Sequence, residues 1–434
     1  MKNSFVFILS NHDCFSITGA QRVNINDSSQ LHYTFWHPRV GGGRKQMYKT
    51  PQSFATEALD LLYLSLAVFY VDKKVNRKVQ DDAWTRNLEV YLPVKEYQKW
   101  ESCKQIITDA LNYLTGDHWS LHFRERTDLT EDEYRYKKGR YTYRNSVEWI
   151  NTDTFCMLSG GLDSFIGAIN LLCEDKNPVF VGNYNGGKGV KNYQDEVVKS
   201  LISKFKVSEN NFFRFYAAPV SSLEDSTRSR SLMFFAHAIT VASGMGHHVD
   251  LFIPENGVIS LNIPLTVMRL GSLSTRTTHP YFMGLLQKII TQLGIDVTLK
   301  NPFQFLTKGE MMKQCSDKLF LNNNFNKTMS CSHPDQGRWA GDKRPCHCGT
   351  CLPCTIRRAA IKAAGLTDNS NYRDPNYLRP EARKHLISYR QGLLENKYPL
   401  SAIQMSGPIY DDFQLYAELY EHGIQEMKDF IDTI

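Results

Sequence analysis

Long hydrophobic runs are what this sequence lacks first. Its longest apolar stretch beyond the amino terminus, Leu61 to Val71, is too short to cross a bilayer. Met1 to Ser16 offers only Phe5 to Leu9 as an apolar core before Asn-His-Asp, too little for a signal peptide. A cytoplasmic protein without membrane contact is therefore expected. A strong charge of one sign is missing too. The 51 Lys and Arg against 45 Asp and Glu leave a formal +6 over 434 residues. That balance admits an anionic ligand, but it lacks the concentrated basic face of a direct nucleic-acid binder. Repeats and low-complexity tracts are absent, which excludes a repeat array.

What is there is a chain long enough for two or three cores. Residues 1–150 read as an α+β amino-terminal domain. "SFVFIL" and "LEVYLPV" have strand character, a helix opens at Pro51, and a second, from Trp100, stops at Gly116. Tyr134, Tyr136, Tyr141 and Tyr143 alternate around Lys138-Gly139 and predict a hairpin, with Glu131, Asp132 and Glu133 arguing against phosphate contact. From Asn151 strands and helices alternate. "TFCML", "PVFVGNY", "FFRFYAA", "VDLFIPE" and "DVTLKNPF" predict a doubly wound parallel sheet covered on both faces. Phe282, Leu285, Leu286, Ile289, Ile290 and Leu293 share one face of a covering helix. Residues 366–434 read as a carboxy-terminal helical extension.

Between the first of those strands and its helix lies Ser159-Gly160-Gly161-Leu162-Asp163-Ser164. Gly160 and Gly161 let backbone N–H groups approach an anion, the helix start adds donors, and Ser159 and Ser164 add hydroxyls. Asp163 would repel phosphate unless a divalent cation lay between them, so its presence predicts Mg²⁺. No Gly-Lys-Ser/Thr follows, which excludes a Walker A loop. This pattern resembles the PP-loop of N-type ATP pyrophosphatases. The resemblance implies ATP as substrate, cleaved to AMP and pyrophosphate, and a PP-loop, HUP-like fold of the adenine nucleotide alpha hydrolase type.

Five of the ten cysteines fall between Ser330 and Arg358. Cys348, Cys351 and Cys354 are spaced to curl round one ion, and Cys331 can close a tetrahedron of structural Zn²⁺. Cys346, His347 and His333 remain competing ligands. No His-x-Glu is present to serve a zinc deaminase.

A PP-loop followed by Thr328-x-Ser330-Cys331 and Cys348-Gly349-x-Cys351-x-x-Cys354 resembles the 7-cyano-7-deazaguanine synthase (QueC) family over about 151–365. "RSRSLMFF" and Leu306-Thr307-Lys308-Gly309-Glu310 belong to the same resemblance. Over the whole chain, with "GSLSTRTTHPYF", the sequence is more similar to the QueC-like proteins of Qat antiphage systems. QueC enzymes have nothing like residues 1–150, and their substrate segment differs from "ENGVISLNIPLTVMRLGSLSTRTTHP". The resemblance implies adenylation of a 7-deazaguanine carboxylate. It also implies a protein partner in a Qat-type defence complex, approached through residues 1–150. The acceptor is then an amine on that partner, or free ammonia on the way to a nitrile. Within this frame Glu255 faces a guanine-like edge, with Asn256 and Asn262 adding amide contacts. Arg228, Arg230, Arg269, Arg276 and Lys308 meet the carboxylate or the developing charge on phosphorus. His279 takes a proton from the amine, and Tyr184 and Asn185 border the adenine.

Overall fold

The computed structural model describes residues 2–34, 50–130, 150–183, 188–226, 228–262, 276–337, 345–395 and 398–434. The tyrosine-rich hairpin expected at 134–143 lies outside them. The described chain runs β1 (Lys2–Ile8), β2 (Gln21–Asn24), β3 (Leu31–Thr34), α1 (Thr56–Lys74), β4 (Asn87–Val94), α2 (Tyr97–Thr115) and β5 (His118–Glu125). It continues through β6 (Thr154–Met157), α3 (Leu162–Cys173), β7 (Val179–Asn183), α4 (Lys188–Phe205), β8 (Phe212–Pro219), α5 (Arg230–Ser243) and β9 (Val249–Phe252). After one helical turn at Gly257–Ser260 come α6 (Pro280–Gln292), β10 (Val297–Lys300), α7 (Lys308–Gln314), α8 (Lys318–Asn324) and α9 (Leu352–Ala363). The chain closes with α10 (Pro380–Glu395), α11 (Pro399–Ser406) and α12 (Phe413–Ile431).

The fold is mixed α/β with parallel sheets. One sheet has the order β2-β1-β4-β5, and each of its three pairings is parallel. The other has the order β10-β9-β6-β7-β8-β3, with β3 antiparallel to β8 from Leu31↔Pro219 to Thr34↔Tyr216. The chain builds outward from β6 through β7 to β8, then returns to lay β9 and β10 on the other side. The winding reverses between β6 and β9, and the loops after those strands are where such sheets hold ligands.

By packing, residues 1–155, 213–251 and 282–299 form one compact unit, and 156–212, 252–281 and 300–434 form a second. In the first, every side chain of α1 from Ala58 to Asp72 is buried, Asp60 and Asp72 as the ion-paired partners of Arg126 and Arg86. That helix begins at Thr56 instead of Pro51. The preceding backbone is engaged elsewhere, Gln52 N–H donating to Gly244 O (2.9 Å) and Ala55 N–H to Ser243 Oγ (3.1 Å). Gly116 ends α2 in the left-handed region (φ 74°). No described helix is long and apolar enough to cross a membrane.

In the second unit, Phe165, Ile166 and Ile169 of α3 pack with Val197 and Leu201 of α4, Met311 of α7 and Ile361 of α9. A further core gathers α9 to α12 round Val258 and Leu261. Gly423 of α12 lies so close to Val258 that a Cβ there would approach its Cγ2 to 2.6 Å. The carboxy-terminal helices therefore pack directly on the turn that follows β9.

Candidate nucleotide and metal centres

The segment Ser159–Ser164 leaves β6 and opens α3. Gly160 takes φ +83°, and a Cβ on it would come within 2.7 Å of Gln194 Cγ, so this position admits glycine on two counts. Ser159 Oγ accepts the Gly161 N–H (3.2 Å) and lies 3.1 Å from Ser164 Oγ. Gly161 caps α3 without a side-chain acceptor, which leaves the helix start available to an anion. Leu162 and Asp163 begin that helix, both buried.

Asp163 is the centre of an ion cluster. One carboxylate oxygen is ion-paired with buried Lys308, and the other accepts from Asn256 Nδ2 (2.7 Å) and Asn256 N–H (3.2 Å). Thr307 places Lys308 at the first position of α7 through a capping box with Glu310. Asn256 is fully buried, and its Oδ1 accepts from Ile259 N–H (3.0 Å), so the side chain joins the turn to Asp163 and has both ends engaged. Burial acts to raise the Asp163 pKa, but the Lys308 charge and the Lys308 and Asn256 hydrogen bonds hold it below the usual range. Beside it, burial and the Asp163 charge push Glu255 well above the ordinary carboxylate value. Two neighbouring carboxyl groups thus share one lysine, which drives their pKa values apart.

The four thiols of Cys331, Cys348, Cys351 and Cys354 lie within 4.8 Å of one another. The Cys331–Cys351 and Cys348–Cys354 sulfur separations are 3.9 and 3.8 Å. These are the spacings expected of a tetrahedron with Zn–S bonds of about 2.3 Å, so the donor set fits zinc. Gly349 makes the turn between them at φ +89°. Cys346, His347 and His333 stand outside this four-thiol set, although His347 Nδ1 lies 3.8 Å from Cys354 Sγ. His347 Nε2 donates to Thr328 O (3.1 Å), Cys346 accepts from Arg373 (3.8 Å), and the His333 backbone N–H donates to Cys331 Sγ (3.2 Å).

The cysteine cluster and the phosphate loop are mechanically joined. Arg357 of α9, fully buried, donates to Thr328 Oγ1 and Phe325 O at 2.7 Å each. Met329 N–H, next in the chain, donates to Gly160 O (2.9 Å). Arg357 therefore fixes the segment that fixes the loop. Sequence reading passed over it, since with Arg358 beside it in the second turn of α9 nothing local marks Arg357 as the buried one.

The remaining expected residues are dispersed. Arg228 and Arg230 belong to the first unit, where Arg228 lies over the Trp84 ring (4.8 Å) and Arg230 near Phe234 (5.4 Å). His279 is enclosed, its Nε2 3.2 Å from Ser406 Oγ and its Nδ1 accepting from Tyr281 N–H (3.2 Å). Burial, helped by the nearby Arg276 charge, lowers its pKa to about 3. Such a ring orders the start of α6. Asn262 is buried and ends the Gly257–Ser260 turn at φ 51°. Tyr184, Asn185 and Arg269 lie outside the described residues. Asn183 and Gln194, which sequence reading did not single out, stand next to the loop. Gln194 Nε2 donates both to Ser159 O (3.0 Å) and to Asn183 O (2.9 Å).

Comparison with known proteins bears on the half of the site that carries Lys308, Thr328 and the cysteines. Residues 278–365 match the family model for the queuosine biosynthesis protein QueC. The chain is QueC-like over this stretch. Proteins named 7-cyano-7-deazaguanine synthase from two Rickettsia bellii strains, OSU 85-389 and RML369-C, are 28% identical over 144 residues, 33% of this chain and 55% of theirs. The Agrobacterium fabrum protein of the same name is 34% identical over 82 residues, 19% of this chain and 30% of its own. This QueC-like chain thus spans about half the length of the Rickettsia relatives it matches.

Proposed function

We propose that this protein cleaves ATP to AMP and pyrophosphate to activate the carboxylate of a 7-deazaguanine, and then joins that carbonyl to an amine. The observation that carries the reading is the loop Ser159–Ser164, placed where the sheet winding reverses and tied through Met329 and Arg357 to the QueC-matched stretch. The relatives' name supplies the 7-deazaguanine.

A carboxylate oxygen attacks the α-phosphorus, the bond to the β-phosphate oxygen breaks, and pyrophosphate leaves. The amine then attacks the acyl carbon, AMP departs, and one proton is lost from nitrogen. The residues divide this work. The N–H groups of Gly160 and of the start of α3 donate to phosphate oxygens. Lys308 supplies the positive charge beside Asp163. Asp163 and Glu255 are the neighbouring carboxyl groups that would hold Mg²⁺, Asp163 exchanging its Lys308 or Asn256 bond for the cation. When bound, that cation screens the phosphates from the carboxylates.

Residues 1–150 carry no recognised catalytic motif, and surface beyond what small substrates need supports a protein acceptor. We place the amine on a partner protein of a Qat-type defence complex, with the protein working in the cytoplasm. Incubation with ATP, Mg²⁺ and 7-carboxy-7-deazaguanine should release AMP and pyrophosphate, and ADP as the main product would overturn the reading. The intact mass of a co-expressed neighbour decides the acceptor. A gain matching a deazaguanine acyl group supports conjugation, whereas free nitrile with an unmodified neighbour replaces it with synthase activity.

A further inference from the structure

Asn183 closes β7 with its side-chain amide enclosed and idle. The residue is 7% exposed, and neither Nδ2 nor Oδ1 has a hydrogen-bond partner among the described residues. Gln194 Oε1 is buried and idle as well. Its Nε2 bridges Ser159 O and Asn183 O, which fixes the amide's orientation and holds those two carbonyls no more than about 6 Å apart. Buried polar groups are almost always paired, so idle amide atoms at the carboxyl end of a strand, beside a phosphate loop, point to a ligand.

The chemistry of the idle atoms selects that ligand. They comprise one N–H₂ donor and two carbonyl acceptors. A phosphate carries only acceptors and would leave both carbonyls facing oxygen. A purine edge bearing an amino group beside a ring nitrogen matches. The amino group donates to Asn183 Oδ1 and the ring nitrogen accepts from Nδ2, with the second amino hydrogen left for Gln194 Oε1. At the 6-position guanine shows O6 and N7 acceptors where adenine shows a donor and an acceptor, so Oδ1 would meet a second acceptor there. The 2-amino group of guanine beside N3 is the competing match that the GTP and 7-carboxy-7-deazaguanine titrations measure.

Building on the ATP reading above, we infer that Asn183, with Gln194 behind it, reads the adenine 6-amino group and selects ATP over other purine triphosphates. The 7-deazaguanine substrate also carries an amino group and a ring N–H beside a carbonyl oxygen, so both ligands are measured. Full-length protein and its Asn183→Leu and Asn183→Ala variants are titrated by calorimetry with ATP, GTP, purine riboside triphosphate (which lacks the 6-amino group) and 7-carboxy-7-deazaguanine.

The native protein should hold ATP about tenfold tighter than purine riboside triphosphate, the discrimination typical of one amide–adenine pair. Both variants should bring the two affinities together at the weaker value and leave 7-carboxy-7-deazaguanine binding unchanged. Asn183→Leu should keep or raise the melting temperature of the free protein, because it removes idle buried groups. An unchanged ATP preference in a folded variant overturns the inference. So does a loss confined to 7-carboxy-7-deazaguanine, or a fall in melting temperature that weakens all ligands in proportion. Native protein that binds no triphosphate overturns this inference and the proposed function together, whereas ATP binding without base discrimination overturns this inference alone.

Discussion

Each unit buries a cluster of charges, and the two clusters are completed to different degrees. In the first, Arg86 is fully buried and uses all five N–H groups. Nε and Nη2 donate to Asp117 (3.0 and 2.6 Å), Nη2 to Asp72 (2.6 Å), and Nη1 to the carbonyls of Asp72 and Val75 (2.9 Å each). Arg77 forks the same Asp117 at 2.8 Å twice, and Ser229 Oγ donates to Asp72 (2.6 Å). These bonds pin the end of α1, the start of β4, the turn into β5 and the start of α5. In the second unit Asp163, Lys308, Asn256 and Glu255 also balance charge, yet Asn183 and Gln194 beside them keep idle atoms. Of the first cluster only Arg77 Nε keeps no partner among the described residues. A network closed but for one atom specifies a fold, while one with several idle amide atoms at a strand end is shaped for something that arrives.

The strongest test of that contrast is the cysteine cluster, which is incomplete in a different sense. Four sulfurs within 4.8 Å are complementary to a cation, not to one another. One zinc per chain is expected by elemental analysis. Chelation or Cys351→Ser should cost most of the stability of the second unit, since structural zinc contributes on the order of 10 kcal/mol to folding. ATP binding should fall with it, through Arg357, Thr328 and Gly160. Metal-free protein with an unchanged melting temperature would show the cluster to be packed thiols.

Next in size is a paired substitution read by urea unfolding. Arg86→Met leaves Asp72 and Asp117 buried with reduced compensation and should cost about 3–5 kcal/mol. Asp163→Asn removes one charge from the other cluster but keeps an amide oxygen beside Lys308, so the cost should be smaller, about 1 kcal/mol. The same variant should lower AMP release at least about 100-fold. Equal costs for the two substitutions would remove the distinction between a structural network and a functional one.

The sequence showed the parts of this site that are local. A strand, two glycines, an aspartate and a helix start lie within a few residues, and the cysteine spacing is readable by itself. β6 to β10 were legible because alternating short apolar runs and helical periodicity are local signals. Long-range pairing was not. Lys308 meets Asp163 across 145 residues, and nothing in the Leu306–Glu310 pattern tells that its lysine is held by a carboxylate. Asn256, expected to contact substrate, bonds to Asp163 and to the Ile259 N–H, pairings the local pattern does not announce. β2 and β5 were missed because a four-residue strand and a polar-alternating edge strand carry weak patterns. Asn183 was missed because its interest lies in the partners it does not have.

The smallest effect concerns two buried histidines and separates structural from catalytic imidazole. His237 stacks on Phe215 (4.5 Å) and His279 is enclosed beside Ser406; burial pushes both pKa values down to about 3. In the unfolded chain each titrates near 6.5. Between those values the unfolded state binds more protons, so their contribution to stability is complete above about pH 6.5 and declines as the pH falls toward 3. Asp117 and Asp163, whose pKa values are lowered, contribute in the same direction but only below about pH 4. Glu255, whose pKa is raised, contributes in the opposite direction above about pH 4.5. The histidine part is therefore read by urea at pH 8, 6 and 5 as the difference between native protein and variant, about 1.4 kcal/mol per pH unit for each histidine below about pH 6. His279→Gln should flatten that slope by one such increment. An unchanged slope would mean that His279 accepts a proton in the folded protein, which would restore it as the base for the attacking amine.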